Sequence, residues 1–382
     1  MPRVVRSLPS PEARALLELT RELADSELEP RVGEFEEHAE FPREVFRTLG
    51  KAGLLGLPYD ERYGGGGQPY EVYLQVIEEL SRAWLAVGLG VSVHTLSCFP
   101  LAAFGSGQQR AARLPDLIGG ELLGAYCLSE PHSGSDAAAL STRAERDGDT
   151  FVVDGAKAWV THGGRADFYA VMARTGGTGA KGISCLLVDG DTPGLNPQPP
   201  ERKMGMRSSA TAGLVFEGAR VPGDRLLGEE GQGFRIAMAA LDGGRLGISA
   251  CAVGVAQAAL DTAVEYAQHR RQFGRRIADF QGLSFLLADM ATQVEAARAL
   301  YLSVARLRDS GQPYGPQAAM SKLFATDTAM RVTTDAVQVL GGYGYVEDFP
   351  VERYLREAKV LQIVEGTNQV QRVVIGRSLT GS

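Results

Sequence analysis

A chain of 382 residues, 44% hydrophobic and 22% charged, carries enough apolar matter for two or three packed domains, which excludes global disorder. Its 39 basic and 46 acidic residues leave a net charge of −7, the wrong sign for a nucleic-acid binder. Glycine, at 47 residues, exceeds its usual share without a Gly-X-Y period, so the excess belongs to turns, close packing or a ligand site.

Residues 1–122 read as an all-helical domain. Ser10-Pro11-Glu12 starts a helix, a hydroxyl N-cap followed by Pro in the first turn, with Leu16, Leu19 and Leu23 along one face. Phe41-Pro42 opens another with Val45, Phe46 and Leu49, and Gly64 to Gly67 form a loop. The stretch 70–91, apolar nearly all round after Trp84, predicts a central buried helix. Residues 123–230 change to a period of two. Runs at 151–153, 158–161, 169–172 and 183–188 predict strands. Turn chemistry separates them at Asp147-Gly148-Asp149, Asp154-Gly155, Gly163-Gly164 and Gly176-Gly177. Such short strands imply a small antiparallel barrel-like or sandwich domain. Residues 231–382 are helical again, over 234–269, 280–307, 318–340, 351–359 and 368–376, with joints near Gly274 and Gly341. Long helices with short joints predict a four-helix bundle. The order helices, sheet, helices has no βαβ rhythm and disfavours a Rossmann fold.

Cys98, Cys127, Cys185 and Cys251 lie far apart with no CxxC pair, and read as reduced thiols of a cytoplasmic protein. The five histidines form no HExxH or HxxxH pattern, so no metal site is expected. MPRVVRSLPS lacks the apolar core of a signal peptide, and no apolar run is long enough for a bilayer, so no membrane partner is expected.

Five segments carry chemistry. Tyr126-Cys127-Leu128-Ser129-Glu130-Pro131-His132-Ser133-Gly134-Ser135-Asp136 alternates small hydroxyl residues and Gly, either as an interdomain turn or to let backbone N–H groups approach a polar ligand. Trp159-Val160-Thr161 ends a strand; the Trp is core, or else a wall for a flat ring. The Arg residues of Arg270 to Arg276 either solvate a helix end or clamp phosphate. Gln338 to Tyr345, with Gly341 and Gly342, is by itself a helix stop. Glu365 closes an apolar run just before a helix start at Thr367 or Asn368: a solvated surface residue, or a half-buried base beside Gly366, whose missing side chain admits a substrate.

In this order the five segments resemble the acyl-CoA dehydrogenase family. SEPHSGSD is similar to one signature and QVLGGYGY with DFPVERYLREA to another. Trp159-Val160-Thr161, Lys203-Met204-Gly205 with Arg207, RRQFG and IVEGTNQVQR fall in family order. The resemblance implies an N-terminal helical domain, a middle β-domain and a C-terminal four-helix bundle, with FAD between the last two and each flavin completed by a neighbour in a homotetramer. It implies FAD contacts at Tyr126, Leu128, Ser129, Gly134, Ser135, Trp159 and Thr161. From the partner subunit it implies Arg270, Gln272, Phe273, Gln281, Gln338, Gly341 and Gly342, with Thr367 and Gln369 on the adenosine side. Ser135, Asp242, Arg245 and Gly366 would meet the acyl-CoA.

Glu365 would be the catalytic base, removing the α-proton while its own backbone N–H and a ribityl hydroxyl hold the thioester oxygen. The β-hydride would pass to flavin N5, leaving a trans-2-enoyl-CoA, with an electron-transfer flavoprotein as the acceptor. The family's alternative base position, just before Arg245, is Gly244 here. His132 reads as exposed, and the stretch His94 to Pro100, which shapes the acyl pocket, is one residue short. Leu241 to Arg245 and IVEGTNQVQR lean toward short or branched acyl groups. The competing expectations are a flavin oxidase or monooxygenase of the same fold, an acyl-carrier-protein-linked dehydrogenase, and a non-catalytic flavin-binding or DNA-associated relative.

Overall fold

Ser10 begins the first helix as its hydroxyl suggests: Oγ accepts from Ala13 N at 3.1 Å, capping α1 (Pro11–Leu23). These facts come from a computed structural model describing residues 4 and 6–381; residues 1–3 and 5, part of the stretch read for a signal segment, and residue 382 lie outside the described residues. The buried stripe of α1 is Ala13, Leu17 and Thr20, not Leu16, Leu19 and Leu23, and Leu19 is exposed. The stripe continues into Ala24 and Leu28 of the π-helical turn that follows, and this sets the face turned to the core.

Then come α2 (Val32–His38), α3 (Arg43–Lys51), α4 (Tyr70–Ala83), α5 (Leu85–Phe104) and α6 (Gly107–Ile118). The single helix predicted over 70–91 is two. Trp84 breaks it with φ −153° and ψ 102°, its ring buried and its Nε1 donating to Glu36 Oε1 at 3.2 Å. Apolarity on both sides of Trp84 hid the break, because hydrophobic pattern carries no signal for one extended residue.

The middle region is one eight-stranded sheet in the order β6-β7-β3-β2-β4-β5-β8, with β1 paired to β4 off that path. The strands are β1 (Gly124–Cys127), β2 (Arg143–Asp147), β3 (Thr150–Thr161), β4 (Phe168–Arg174), β5 (Ile183–Asp189), β6 (Leu195–Pro197), β7 (Thr211–Pro222) and β8 (Leu226–Leu227). Pairing is antiparallel except β1 with β4 and the single β2–β4 bridge, which are parallel. Asp154-Gly155 is not a turn. It lies inside β3, where Gly155 at φ 140° sits at a register shift against β7. Two expected strands therefore merge into one that delivers Trp159 and Thr161 at its far end.

The C-terminal helices are α7 (Gly233–His269), α8 (Gln281–Asp309), α9 (Gly315–Leu340), α10 (Val351–Leu361) and α11 (Asn368–Thr380). Between α7 and α8, β9 (Arg271–Gln272) and β10 (Arg275–Arg276) form a hairpin. Phe273 and Gly274 at φ 51° and 81° make its two-residue turn, so the arginine run forms a hairpin beyond α7 rather than a solvated helix end. Helix α7 is the hub, packed on α4, α5, α8 and α9. Gly247 faces Ser92 and Gly254 faces the Glu78 carbonyl, letting α4 and α5 approach closely. By length and composition α5 and α7 are apolar enough to cross a membrane, which the sequence reading missed; both lie inside the molecule.

Gly124, at the start of β1, is gripped by two imidazoles. Its N–H donates to His94 Nδ1 at 3.0 Å and its carbonyl accepts from His162 Nδ1 at 2.9 Å. Burial holds His94 down at about 3 and His162 at about 4, far below an unfolded imidazole near 6.5. Between pH 6.5 and 4 the unfolded chain therefore binds more protons, and stability falls as pH falls. From pH 7 to 5 each imidazole is expected to cost about 2 kcal/mol. The loss over that range, read from thermal unfolding, should be smaller by that amount in His162→Gln; equal slopes contradict the assignment.

Candidate active site

Beyond α10 the chain turns sharply, with Glu365 at φ 52° and Gly366 at φ 91°, before Thr367 caps α11 by accepting from Val370 N at 3.2 Å. A left-handed Glu is uncommon and must be held. Gln371 Nε2 donates to Gly366 O at 2.8 Å and to Glu365 O at 3.4 Å, and Lys322 Nζ donates to Gly366 O at 2.9 Å. Both Glu365 carboxylate oxygens are buried without a hydrogen-bond partner. The carboxylate lies over Gly244 of α7, where any Cβ would collide with Oε2. Burial pushes the Glu365 carboxyl up to about 7, against the pull of Lys322 and Arg245. A carboxyl with free lone pairs that titrates near neutrality has the properties of a proton-abstracting base.

Beside Gly244 a pocket opens against α4, α5 and α7, lined by Tyr59, Tyr70, Thr95, Phe99, Gly243 and Tyr314 among others. Tyr70 donates to Gly243 O at 3.0 Å and Tyr59 donates to Thr95 O, so two aromatic walls are fixed by backbone. Phe99 comes from the stretch that reads one residue short. Asp242 and Arg245 pair at 2.7 Å on one turn of α7, and Arg245 is buried with its Nε unpartnered.

The expected flavin residues fall into two sets. In the first, Tyr126 lies on β1 with a buried, unpartnered hydroxyl, close enough to Glu365 to feel its charge. Leu128 and Ser129 are stitched to β3: Lys157 Nζ donates to Leu128 O at 3.2 Å and Ala158 N to Ser129 O at 2.9 Å. Lys157 also pairs with buried Glu130 at 2.8 Å. Against the cost of burial, that pairing holds Glu130 down at about 2. Gly134 and Ser135 are exposed, and nothing stands within 4 Å of a Cβ built on Gly134. His132 is exposed, as expected. Trp159, at φ 60°, turns a ring that is 64% exposed outward, so of its two readings the core one fails. Thr161 is half-buried at the end of β3.

The second set sits at the ends of the bundle. Arg270, Gln272, Phe273, Gln281, Gln338, Gly341, Gly342 and Gln369 are exposed, and Thr367 is half-buried. The Arg270 guanidinium lies 5.8 Å over the Tyr343 ring, which joins the hairpin to the Gly341 turn. Among the described residues no hydrogen bond, ion pair or ring contact links these to Trp159 or Thr161.

The residues fit FAD on three observations: an exposed Trp wall, an open Gly134, and an orphaned Tyr126 hydroxyl beside Glu365. Sequence reasoning passed over Lys157, Tyr70 and Lys322. Lys322 carried a signal, a lone cation within the otherwise small and apolar run Ala318 to Ala325.

A helical region, a sheet and a helical bundle around a poised carboxylate and an open aromatic wall define a flavin-dependent oxidoreductase. The models of the N-terminal, middle and C-terminal acyl-CoA dehydrogenase domains match residues 10–121, 125–219 and 231–380. The chain therefore belongs to the acyl-CoA dehydrogenase family, FAD enzymes that dehydrogenate acyl-CoA thioesters. It is 47% identical to an acyl-CoA dehydrogenase of Bacillus subtilis, over 95% of this chain and 96% of that one. It is similar to butyryl-CoA dehydrogenase of Megasphaera elsdenii, with TM-score 0.96, 40% identity and coverage of 98% and 100%. It is also similar to a chain in the structure of the electron transferring flavoprotein of Acidaminococcus fermentans, with TM-score 0.97, 42% identity and coverage of 99% and 100%.

Proposed function

We propose that the protein oxidises a short, straight or branched acyl-CoA to its trans-2-enoyl-CoA, with Glu365 as the base. The observation that carries this reading is the unpartnered Glu365 carboxylate above Gly244, next to an aromatic-walled pocket. Its walls of Tyr59, Tyr70 and Phe99 are aromatic and suit an apolar acyl chain. The likeness to a butyryl-CoA dehydrogenase supports a short one.

Bound FAD supplies the acceptor for the hydride leaving Cβ. This chain's part is to bind, orient and deprotonate. Tyr126, Leu128, Ser129, Gly134, Ser135, Trp159 and Thr161 would hold the flavin. Ser135, Asp242, Arg245 and Gly366 would hold the thioester arm. The Glu365 N–H, presented by its left-handed turn, would donate to the thioester oxygen and stabilise enolate charge. Glu365 would then take the α-proton, and the bound CoA would exclude water and raise its basicity further.

The reading extends to a cytoplasmic homotetramer that passes electrons to an electron-transfer flavoprotein; the likeness to a chain from such a flavoprotein's structure supports that acceptor. Phe273, Tyr343 and Tyr345 are exposed aromatics around the hairpin and the Gly341 turn, the area a partner subunit would cover. Arg270→Ala is expected to weaken flavin retention and assembly together, read by absorbance after gel filtration and by light scattering. A monomeric wild type replete with flavin would remove the shared-site idea. The decisive experiment is anaerobic titration with acyl-CoA thioesters of increasing chain length. Butyryl-CoA or isobutyryl-CoA should bleach the flavin, and long chains should not; failure of every thioester to bleach it sinks the proposal.

A further inference from the structure

We propose that Lys322 is a positioning residue for the base: its ammonium pins the left-handed turn that carries Glu365 and places a buried positive charge beside the carboxylate. The inference rests on Glu365 being the base.

Lys322 stands on α9 with no exposed surface. A fully buried lysine normally faces a carboxylate in an ion pair. Lys322 Nζ instead donates to two neutral oxygens, Gly366 O and Asn368 Oδ1, both at 2.9 Å. The second acceptor is itself locked. Asn368 Nδ2 donates to Thr326 Oγ1 at 2.9 Å and to Asp327 Oδ1 at 2.7 Å, so its oxygen must point at the ammonium. Asp327 is further occupied by Gln362 at 2.7 Å and Arg372 at 3.2 Å. The ammonium therefore grips Gly366, the residue after Glu365, and Asn368 at the start of α11, and its own charge is left without a paired anion.

The groups that face Glu365 show where that charge acts. Helix α7 presents Arg245 and Cys251, α4 presents Tyr70 and Tyr73, β1 presents Tyr126, and α9 presents Lys322. Burial pushes the thiol and the three phenols up, so all four are neutral near pH 7. Of the two cations, Arg245 is held by Asp242 at 2.7 Å. That leaves Lys322 as the cation not already paired. Burial lowers Lys322 to about 8, still above Glu365 at about 7, so the ammonium is mostly charged as the carboxyl begins to ionise.

The test compares the flavin-loaded wild type, Lys322→Met, Lys322→Arg and Glu365→Gln across pH 5.5–9.5, a span of about four units around these groups. Two readouts are used: the rate of anaerobic flavin reduction by butyryl-CoA, and infrared titration of the Glu365 carboxylate by difference against Glu365→Gln. In Lys322→Met both midpoints should rise by about one pH unit. The rate below pH 6 should then fall about tenfold more than the rate at pH 9. Lys322→Arg keeps the charge but not the 2.9 Å fit, so its midpoint should stay while its plateau rate drops. Unmoved midpoints in Lys322→Met, or a rise of the same size in Lys322→Arg, overturn the inference. If Lys322→Met does not fold, Lys322→Gln, which retains a donor for Gly366, carries the comparison under the same criteria. Activity surviving in Glu365→Gln would instead overturn the base assignment, which separates the two failures.

Discussion

Glu365→Gln should yield a folded, yellow protein whose reduction by acyl-CoA falls by roughly 10²–10⁴-fold. The substitution keeps shape and volume, so the left-handed turn keeps its bonds from Gln371 and Lys322 to backbone oxygens. It removes only the ability to take a proton. No neighbour replaces it: Gly244 has no side chain, and Asp242 is committed to Arg245 at 2.7 Å. Stability should hold or rise, because the variant no longer buries a carboxylate without a hydrogen-bond partner. In the wild type the reduction rate at sub-saturating acyl-CoA should climb with pH through about 7, since that regime reports the free enzyme's carboxyl, which accepts a proton only when ionised. The residual rate of the variant should be flat there. Stopped-flow absorbance of the flavin under anaerobic conditions measures both. A variant that reduces at the wild-type rate, or keeps the midpoint near 7, would show that another group removes the proton.

Much of this site is legible in the sequence, for physical reasons that can be traced. Glu365 stands out because an apolar run, a glycine and a helix cap surround it, and each has a local signature. The strands and the long helices follow from their periods. What escapes is whatever depends on contact across the fold. Trp84 breaks a helix because Glu36 and the core claim its ring, and no pattern within 70–91 records that. Gly155 reads as a turn because Asp-Gly usually is one; only pairing with β7 turns it into a bulge. Tyr70 is just the first residue of an amphipathic helix until α7 brings Gly243 O to its hydroxyl. The same limit applies to Gly244. As sequence it marks a missing rival base, whereas in the fold it is the space that the Glu365 carboxylate occupies.

That space makes Gly244→Ala the second large expectation. Alanine belongs in a helix, and at an open site the change would stabilise α7 by up to about 1 kcal/mol. Here the new methyl would fall on Glu365 Oε2 and press toward Leu96 Cδ1 at 3.3 Å. The flexible end of Glu365 yields first, so the protein should fold and retain flavin while the carboxylate swings off its line to the substrate. Misplacement of about 1 Å costs on the order of 10²-fold in rate, and kcat should carry most of it because the CoA-holding residues are untouched. If the loss is steric, shortening the base relieves it. Glu365→Asp alone should slow reduction by drawing the carboxylate back one methylene, and in the Gly244→Ala background that retreat opens room for the methyl. The two losses should therefore combine to clearly less than their product. Losses that multiply would mean that the methyl acts on something other than the carboxylate, and Gly244 would then be there for the packing of α7 against Leu96 alone.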